Sequence, residues 1–451
     1  MTHNIIDTST TIVAPATAAG GAVMVTRLSG SRAIEIADRM FRGRKPLSEC
    51  EGYTLHYGTI RNEQGEVVDD VVVALFRAPN SYTGDDTVEI TTHGSEHICS
   101  ELLRLAISYG ATMATAGEFT RRAFLAGKMD LSRAEAVADI ISSDSRWSHT
   151  IATTQMRGGY SAKLAQMRNE LLRLCSLLEL ELDFSEEDVE FADRTTLRNI
   201  LADVEHQVST LLSSFSVGNA IKNGVNVAIV GEPNVGKSTL LNALVEDDRA
   251  MVSDVAGTTR DTIEATTIID GIRFRFVDTA GIRDTENKLE KMGIERTHRA
   301  IEKAHIILHL TSAESLEFKD IECSTEQHYI QVINKIDKNN SIDDSTIAGA
   351  IKISAKLNIG IDELRSALRS TVDTSALNAN SVVVSNMRHY AALRAAHEAL
   401  TSARAALDNN IPSDLVSEDI RQVLHHLGEI TGEITSDDIL HSIFSKFCIG
   451  K

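Results

Sequence analysis

The chain has 451 residues, 42% of them apolar, and a formal net charge of −19. That length allows several buried cores and suggests three domains, while the acidic balance opposes nonspecific attraction to nucleic acid, which rests on Lys and Arg releasing counterions from phosphate; any RNA contact is expected to be local or helped by a partner. No run approaches 18 apolar residues, Met1-Thr2-His3-Asn4 lacks the basic and apolar regions of a signal peptide, and Cys50, Cys99, Cys175, Cys323 and Cys448 form no C-x-x-C pair, so no membrane contact, disulfide or structural zinc is expected, and the compartment reads as reducing and cytoplasmic.

Residues 1–118 read as a small α/β domain. Strand-like runs lie near Thr11 to Ala14, Ala22 to Leu28, Asp70 to Phe76 and Thr87 to Thr91, and helical spacing recurs at Arg32 to Phe41 and Glu96 to Tyr109. Asn62-Glu63-Gln64-Gly65 reads as a hairpin turn before a strand over Val67 to Leu75. From about 119 to 221 the β signal disappears, and Leu164, Met167, Leu171, Leu174 and Leu178 repeat at spacings of three and four, as a buried helix stripe should. Residues 222–375 read as an inserted α/β nucleotide-binding domain. The helical pattern returns over 376–451 at Leu393, Ala396, Leu400, Ala403 and Leu407, then at Ile420, Val423, Leu424 and Leu427. One discontinuous helical domain is the economical reading, because each half exposes apolar faces that need a partner; two unrelated bundles are the alternative. With five prolines and no Ser/Gly-rich or Pro-rich tract, long flexible linkers are not expected.

Three stretches outside the inserted domain carry less certain chemistry. The acidic run Asp183 to Asp193 reads as a solvated bend between helices, since its carboxylates lack a fixed ligand spacing. Arg121, Arg122, Lys128 and Arg133 form a basic island that fits a helix surface or an anion site equally well. At the C-terminus Ser436 caps a last helix whose Ile439, Leu440, Ile443 and Phe444 read as core, followed by Phe447-Cys448-Ile449-Gly450-Lys451. On chemistry alone Cys448 reads as a small buried hydrophobe.

The inserted domain opens on Gly231-Glu232-Pro233-Asn234-Val235-Gly236-Lys237-Ser238-Thr239, directly after the apolar run Val225 to Val230 and before Leu240, Leu241 and Leu244. This is strand, G-x-x-x-x-G-K-[ST], helix. Inward-pointing backbone N–H groups must hold phosphate oxygens, which requires glycine where a side chain would block the approach. Lys237 can then reach the outer phosphates, the Ser238 hydroxyl can ligate Mg²⁺, and the helix points its positive end at the anion. Downstream come Gly257-Thr258-Thr259-Arg260-Asp261, Asp278-Thr279-Ala280-Gly281, Asn334-Lys335-Ile336-Asp337 and Ser354-Ala355-Lys356. The strand-like runs beside these segments put them at one rim of a parallel sheet, where nucleotides bind. A carboxylate such as Asp337 can accept from the N1–H and 2-amino groups of guanine, a donor pair that adenine does not present there. The five segments in this order therefore read as a site for GTP and GDP.

Hydrolysis needs two groups that this chain lacks at the usual places. Many small GTPases carry a water-orienting Gln directly after D-x-x-G; here the residue is Ile282, and the nearby carboxylates are Asp284, Glu286, Glu290 and Glu295, which sequence alone does not rank. No Arg lies within the loop, although Arg260 and Arg283 follow. Asn234 could ligate a monovalent cation through its side-chain oxygen and so supply positive charge to the transferred phosphoryl; without further comparison it reads as a turn residue.

The order of parts resembles the bacterial tRNA-modification GTPase family (MnmE/TrmE) over essentially the full length. The resemblance is carried by Arg27-Leu28-Ser29-Gly30, Asn80-Ser81-Tyr82-Thr83-Gly84-Asp85-Asp86, Gly117-Glu118-Phe119-Thr120-Arg121-Arg122-Ala123-Phe124-Leu125, the GTPase segments, and most distinctively Cys448-Ile449-Gly450-Lys451. It implies a multidomain protein: an N-terminal α/β domain that binds folate and dimerises (1–118), a discontinuous all-α domain (119–221 and 376–451) and an inserted Ras-like P-loop G domain (222–375). It implies a homodimer that joins the FAD-dependent protein MnmG (GidA) in a heterotetramer. Together they place an aminomethyl-type group (carboxymethylaminomethyl) on C5 of wobble uridine U34 of tRNA. Hydrolysis of GTP is coupled to this step and depends on K⁺; the one-carbon unit comes from 5-formyl- or methylene-tetrahydrofolate.

Residue by residue, the resemblance assigns Asn234, Val235, Gly236, Lys237, Ser238 and Thr239 to GTP, followed by Ser253, Asp254, Val255, Ala256, Gly257, Thr258 and Thr259. Asp278, Thr279, Ala280 and Gly281, Asn334, Lys335, Ile336 and Asp337, and Ser354, Ala355 and Lys356 complete that site. Mg²⁺ falls to Ser238 and Thr259, and K⁺ to Asn234, Ser253, Val255 and Thr258. Glu290 is singled out as the water-orienting group beside Lys237. Folate falls to Arg27, Glu89, Lys128 and Lys451, and Cys448 is a candidate chemical thiol. The chain departs from the family pattern at Ala16-Thr17-Ala18-Ala19-Gly20-Gly21, where a Pro- and Arg-containing turn is common, and at Leu310-Thr311-Ser312, where an Asp is common. The competing function is a GTPase switch in ribosome assembly, which would share every segment from Gly231 to Lys356. Such a protein would more often carry a basic RNA-binding appendage.

Overall fold

A computed structural model describes residues 10–18, 20–183, 194–245, 264–278, 298–318, 320–324, 327–338, 349–372, 382–409 and 411–451. The chain divides into two compact units, one of residues 1–138, 156–168 and 424–451, the other of 139–155 and 169–423. Among the described residues no helix is long and apolar enough to cross a membrane.

The first unit is built on a seven-stranded sheet of β1 (Ile12–Pro15), β2 (Val23–Ser29), β3 (Phe41–Gly43), β4 (Thr54–Arg61), β5 (Val67–Phe76), β6 (Thr87–His93) and β7 (Thr112–Met113). The spatial order is β3-β4-β5-β6-β2-β1-β7, antiparallel except for the β1–β7 pair. Alternation along each strand sends Val13, Leu28, Ile60, Val71, Val73, Leu75, Val88 and Ile90 to one face. Two helices cover that face, α1 (Ala33–Met40) through Ile36 and Met40 and α2 (Glu96–Ser108) through Leu102 and Leu105. The opposite face is covered at its β1 end by α3 (Glu118–Leu125), whose Phe119 packs on Ile12, Ala14 and Ala114. Toward β4 and β5 it is open, and Leu55, Tyr57 and Val72 are 72%, 71% and 40% exposed. Register puts Leu55 opposite Ala74 and Tyr57 opposite Val72, so these side chains form one patch.

The chain terminus belongs to this unit. The helix Asp437–Phe444 starts at Ser436, whose Oγ accepts from the Ile439 N–H, and Leu440, Phe444 and Phe447 pack on Leu131 and Ala134 of the helix Leu131–Ser142. Two expectations fail here. Ile439 is 37% exposed and Cys448 is exposed. The apolar stripe is narrower than the run of apolar letters suggests, and Phe447 and Gly450 turn inward while Cys448 and Ile449 turn out.

The second unit contains a six-stranded sheet of β8 (Val225–Gly231), β9 (Glu264–Ile269), β10 (Ile272–Asp278), β11 (Ile306–Ser312), β12 (His328–Asn334) and β13 (Ile351–Lys352). Its order is β13-β12-β11-β8-β10-β9, parallel except for the β9–β10 hairpin. Val227, Ile229, Phe274, Phe276, Leu308, Leu310 and Val332 form its core with the helices Lys237–Val245 and Ile361–Ser370. Near-continuous apolar runs are what a parallel sheet covered on both faces requires.

In the same unit the helix Arg194–Ser213 buries Leu197, Leu201, Val204, Val208 and Leu211, and the helix Met387–Asp408 buries Leu393, Ala396, Leu400, Ala403 and Leu407. The two helices pack together, and Arg198 Nε donates to Asp408 Oδ1 at 2.8 Å across the pair. Cys175 Sγ meets Ser417 Oγ at 3.2 Å, and Arg421 donates to Glu179 at 2.6 Å. Helices that precede the inserted sheet in sequence thus contact helices that follow it. The acidic run 184–193 lies outside the described residues.

Candidate functional site

In the second unit the carboxyl ends of four parallel strands meet at one rim. Register pairs Ile229 with Asp278, Leu310 with Gly231 and Ser312 with Asn334. The G-x-x-x-x-G-K-[ST] loop leaves this rim between β8 and the helix Lys237–Val245. Gly231 has φ +155°, and a Cβ there would lie 2.2 Å from the Leu310 carbonyl oxygen; Gly236 has φ +99°, and its Cβ would lie 2.4 Å from Asn334 Nδ2. Any side chain at either position would push the loop off the sheet rim. Asn234 takes φ +64°, a left-handed conformation that asparagine tolerates better than most residues.

Lys237 is buried, and its Nζ donates to the carbonyls of Gly231 at 2.7 Å and Glu232 at 2.9 Å. The ammonium is thereby held inside the curl of the loop. Ser238 and Thr239 follow in the first turn of the helix, whose dipole favours an anion at this end.

Asn334 joins the loop to the segments 334–337 and 354–356. Its side chain is buried; Nδ2 donates to the Val235 carbonyl at 2.9 Å, and Oδ1 accepts from the N–H of Lys335 at 2.8 Å and of Ala355 at 3.0 Å. Lys335 also takes positive φ, +64°, and its Nζ donates to the Asn234 carbonyl at 2.5 Å. Ile336 donates its N–H to the Ile353 carbonyl at 3.3 Å. Asp337 Oδ1 accepts from the Ser354 hydroxyl at 2.6 Å. That bond, with Lys356 and Lys338 nearby, holds the Asp337 carboxyl below the ordinary aspartate range, so it is an anion at neutral pH. Asn334, Lys335, Ile336, Asp337, Ser354, Ala355 and Lys356 therefore converge on one place beside the loop. Asp278 ends β10 at the same rim. Ser253, Asp254, Val255, Ala256, Gly257, Thr258, Thr259, Thr279, Ala280, Gly281, Ile282 and Glu290 lie outside the described residues.

The first unit gathers a second constellation. Arg27 Nε donates to Glu89 Oε1 at 2.7 Å, and Arg27 Nη1 donates to the Gly450 carbonyl at 3.1 Å. Its guanidinium lies 5.9 Å from the Tyr82 ring centre and 5.5 Å from that of Phe119. Tyr82 Oη and Thr120 Oγ1 are 2.9 Å apart, and burial pushes the Tyr82 hydroxyl pKa up, keeping it neutral. The tail is fixed by Gly117 N–H donating to the Cys448 carbonyl and by an Ala116–Ile449 bridge. Gly450, at φ +96°, lies so close to Pro15 that a Cβ would sit 2.1 Å from its carbonyl oxygen. Lys451 follows, and Lys128 Nζ donates to the Pro79 carbonyl in the loop that carries Tyr82.

Sequence reasoning missed Tyr82, Phe119 and Gly450 as members of this constellation. All three fell inside quoted segments, but nothing in their spacing announced that Arg27 would pack against both rings and the Gly450 carbonyl. The basic island resolves mostly into internal partners. Arg122 pairs with Glu118 at 2.9 Å and caps the Thr10 carbonyl at 2.6 Å, Arg133 donates to the Met156 carbonyl at 3.0 Å, and Arg121 lies 3.9 Å from Asp437.

Comparison with known proteins agrees along the whole chain. Residues 11–128 match the family described as GTP-binding protein TrmE N-terminus, and residues 131–448 match that described as MnmE helical domain. Proteins called tRNA modification GTPase MnmE are similar throughout. That of Flavobacterium johnsoniae is 47% identical over 98% of this chain and 99% of its own. The Cytophaga hutchinsonii protein is 46% identical over 100% of both, and the Bacteroides fragilis protein 48% over 98% and 99%.

The geometry at Asp337 makes base recognition testable. In Asp337→Asn one acceptor becomes a donor facing the 2-amino group of guanine, and a charge-assisted pair is lost. Guanine nucleotide affinity is expected to fall by roughly a hundredfold or more. Xanthine nucleotides, with a carbonyl at C2, should bind the variant better than guanine nucleotides do. Fluorescent nucleotide titration of both bases measures this; an unchanged preference for guanine would contradict the assignment.

Proposed function

Because this chain belongs to the MnmE family of tRNA modification GTPases, we propose that its GTP hydrolysis drives addition of a carboxymethylaminomethyl-type group to C5 of wobble uridine U34. GTP hydrolysis in tRNA modification, with GTP or GDP and Mg²⁺ as ligands, follows from that membership. The remainder is our reading: dependence on K⁺, a folate one-carbon donor, a homodimer, the flavin-dependent partner MnmG and a cytoplasmic location. The observation that carries it is that Arg27 donates both to Glu89 and to the Gly450 carbonyl of the tail in the first unit, in a chain whose second unit brings Asp337 and Ser354 together beside the loop.

In the second unit, the glycine cradle and the helix N-terminus bind the phosphates through backbone N–H groups. Lys237 balances charge on the outer phosphates, and Asp337 selects the base. Ser238 and Thr259 would hold Mg²⁺, which neutralises charge on the β- and γ-phosphate oxygens when bound. Asn234 has an exposed side chain at the loop tip, while its carbonyl is engaged by Lys335, so the side-chain oxygen is available to a monovalent cation. With Ser253, Val255 and Thr258 it would form the K⁺ site and place a positive charge where other GTPases use an arginine. Glu290 would orient the attacking water, since Ile282 cannot polarise it.

In the first unit, Arg27 and Glu89 present a paired cation and anion, with the guanidinium beside the Tyr82 and Phe119 rings, a setting suited to a flat heteroaromatic ligand with donor and acceptor edges such as a pterin. Lys128 and Lys451 would meet the carboxylates of its tail. The open sheet face with Leu55, Tyr57 and Val72 supports a homodimer, because contiguous exposed apolar surface is uncommon on a monomer.

Three measurements test this reading. Nucleoside mass analysis of tRNA from a deletion strain is expected to lack the modified wobble uridine; unchanged nucleosides would favour the ribosome-assembly switch instead. Glu290→Ala is expected to bind GTP almost as wild type while turnover falls by about two orders of magnitude or more. Hydrolysis is expected to run faster in K⁺ than in Na⁺ at equal ionic strength, and equal rates would refute the cation site at Asn234.

A further inference from the structure

The helix Ser413–Thr431 carries a side-chain cluster that none of this chemistry uses. It buries Val416, Ile420, Val423, Leu427 and Ile430 at spacings of four, three, four and three. Relative to Leu427, a rotation of about 100° per residue puts His425 and Glu429 on the far side of the helix and His426 on its flank. Glu429 lies between the two imidazoles, about 40° from His425 and about 60° from His426 around the axis.

The distances agree with that placement. His426 Nδ1 lies 3.0 Å from Glu429 Oε2, and His425 Nε2 lies 3.7 Å from Glu429 Oε1. One ligand atom from each of the three residues falls within 4.8 Å of the others. Bonds of about 2.0–2.1 Å in tetrahedral zinc sites leave ligand atoms about 3.4 Å apart, a spacing that the separations of 3.0 and 3.7 Å, each to a different oxygen of Glu429, bracket. The imidazole planes stand at 79° with centroids 5.4 Å apart, so they do not stack away from a shared point. The backbone of this turn is pinned, because Arg168 Nη1 donates to the Leu424 carbonyl at 2.6 Å while its other terminal nitrogen pairs with Glu433. A fixed turn holds ligands better than a loop does.

We propose that His425, His426 and Glu429 form a surface site for one divalent transition-metal ion such as Zn²⁺ or Co²⁺, with water in the remaining positions. Two imidazole nitrogens and one carboxylate suit a borderline cation, whereas Mg²⁺ and Ca²⁺ take oxygen ligands. The site is thereby distinct in chemistry from the phosphate-bound Mg²⁺ of the GTPase unit.

The test uses the untagged full chain with GDP and excess Mg²⁺, so that the nucleotide site is filled. Co²⁺ is titrated by calorimetry and by its visible absorption. Wild type is expected to bind one Co²⁺ through nitrogen and oxygen ligands, without a thiolate charge-transfer band. His426→Gln and Glu429→Gln are each expected to weaken binding at least tenfold. His425→Gln, at a half-exposed position, gives the same reading should His426→Gln fail to fold, and melting without metal checks folding of each variant. Cys323→Ser with Cys448→Ser should leave Co²⁺ binding unchanged. The proposal is overturned if the histidine variants bind as wild type does, if only the cysteine variants lose the ion, or if wild type binds none below about 100 µM.

Discussion

The nucleotide site depends on one buried carboxamide. Asn334 holds the Val235 carbonyl with its nitrogen and the N–H groups of Lys335 and Ala355 with its oxygen. Three segments that are about a hundred and twenty residues apart at their extremes are thus fixed by a single side chain. Each bond contributes about 0.5–1.5 kcal/mol net, but removing the amide would strand buried backbone groups at about 1–3 kcal/mol each. Gly236 must lack a Cβ because Asn334 Nδ2 occupies the space where it would lie. Gly236 and Asn334 are therefore one steric unit, and neither can vary alone.

The first unit solves a similar problem with its chain end. Arg27 and Gly450 are 423 positions apart, yet the guanidinium donates to that terminal carbonyl. A terminus ordinarily frays, and this one is held by Phe447 in a hydrophobic cluster, by the Ala116–Ile449 bridge and by a glycine pressed against Pro15. Burying Phe447 contributes about 1.5–3 kcal/mol, enough to order a few backbone residues. That order presents Cys448 outward, the reverse of what its hydrophobic character suggests.

Much of this was legible in the sequence because the carriers are local. Apolar runs gave β8, β10 and β12, loop chemistry fixed the rim segments, and stripes at three and four gave the long helices. The strand β4 was not read, since its apolar letters Leu55 and Tyr57 stand on the exposed face while Thr54, His56 and Gly58 stand on the covered one, the reverse of the alternation that marks a half-buried strand. Arg27 against Tyr82 and Phe119 depends on three segments meeting, and Arg122 is charged yet only 2% exposed, its terminal nitrogens held by Glu118 and Thr10. Periodicity reports which side of its own element a residue occupies, and long-range electrostatic pairing leaves no period.

The inserted sheet poses a topological question that its entry and exit answer. Inserting about 160 residues between two packed helices would separate them unless the ends of the insertion lie close together. Here they are stitched. Val384 N–H donates to Ser214 Oγ at 3.1 Å, and a Cβ on Gly218 would lie 2.2 Å from the Val384 carbonyl oxygen. Phe215 stacks on Tyr390 with centroids 4.3 Å apart. The helix Phe215–Asn223, which leads into β8, also pairs Lys222 with Asp139 at 2.7 Å and packs Ala220 into the sheet core. Trp147, the single tryptophan, lies against Gly271 at the β9–β10 turn, and its N–H donates to the Gly271 carbonyl. Entry, exit and hairpin are thus each bonded to helical residues, so the insertion closes as a loop whose ends are already paired. Closing a loop costs entropy only as the logarithm of its length, and contacts at its neck of about 0.5–1.5 kcal/mol each offset much of that. A large domain inserted at such a neck leaves the host helices free to bury one another as though the chain were continuous.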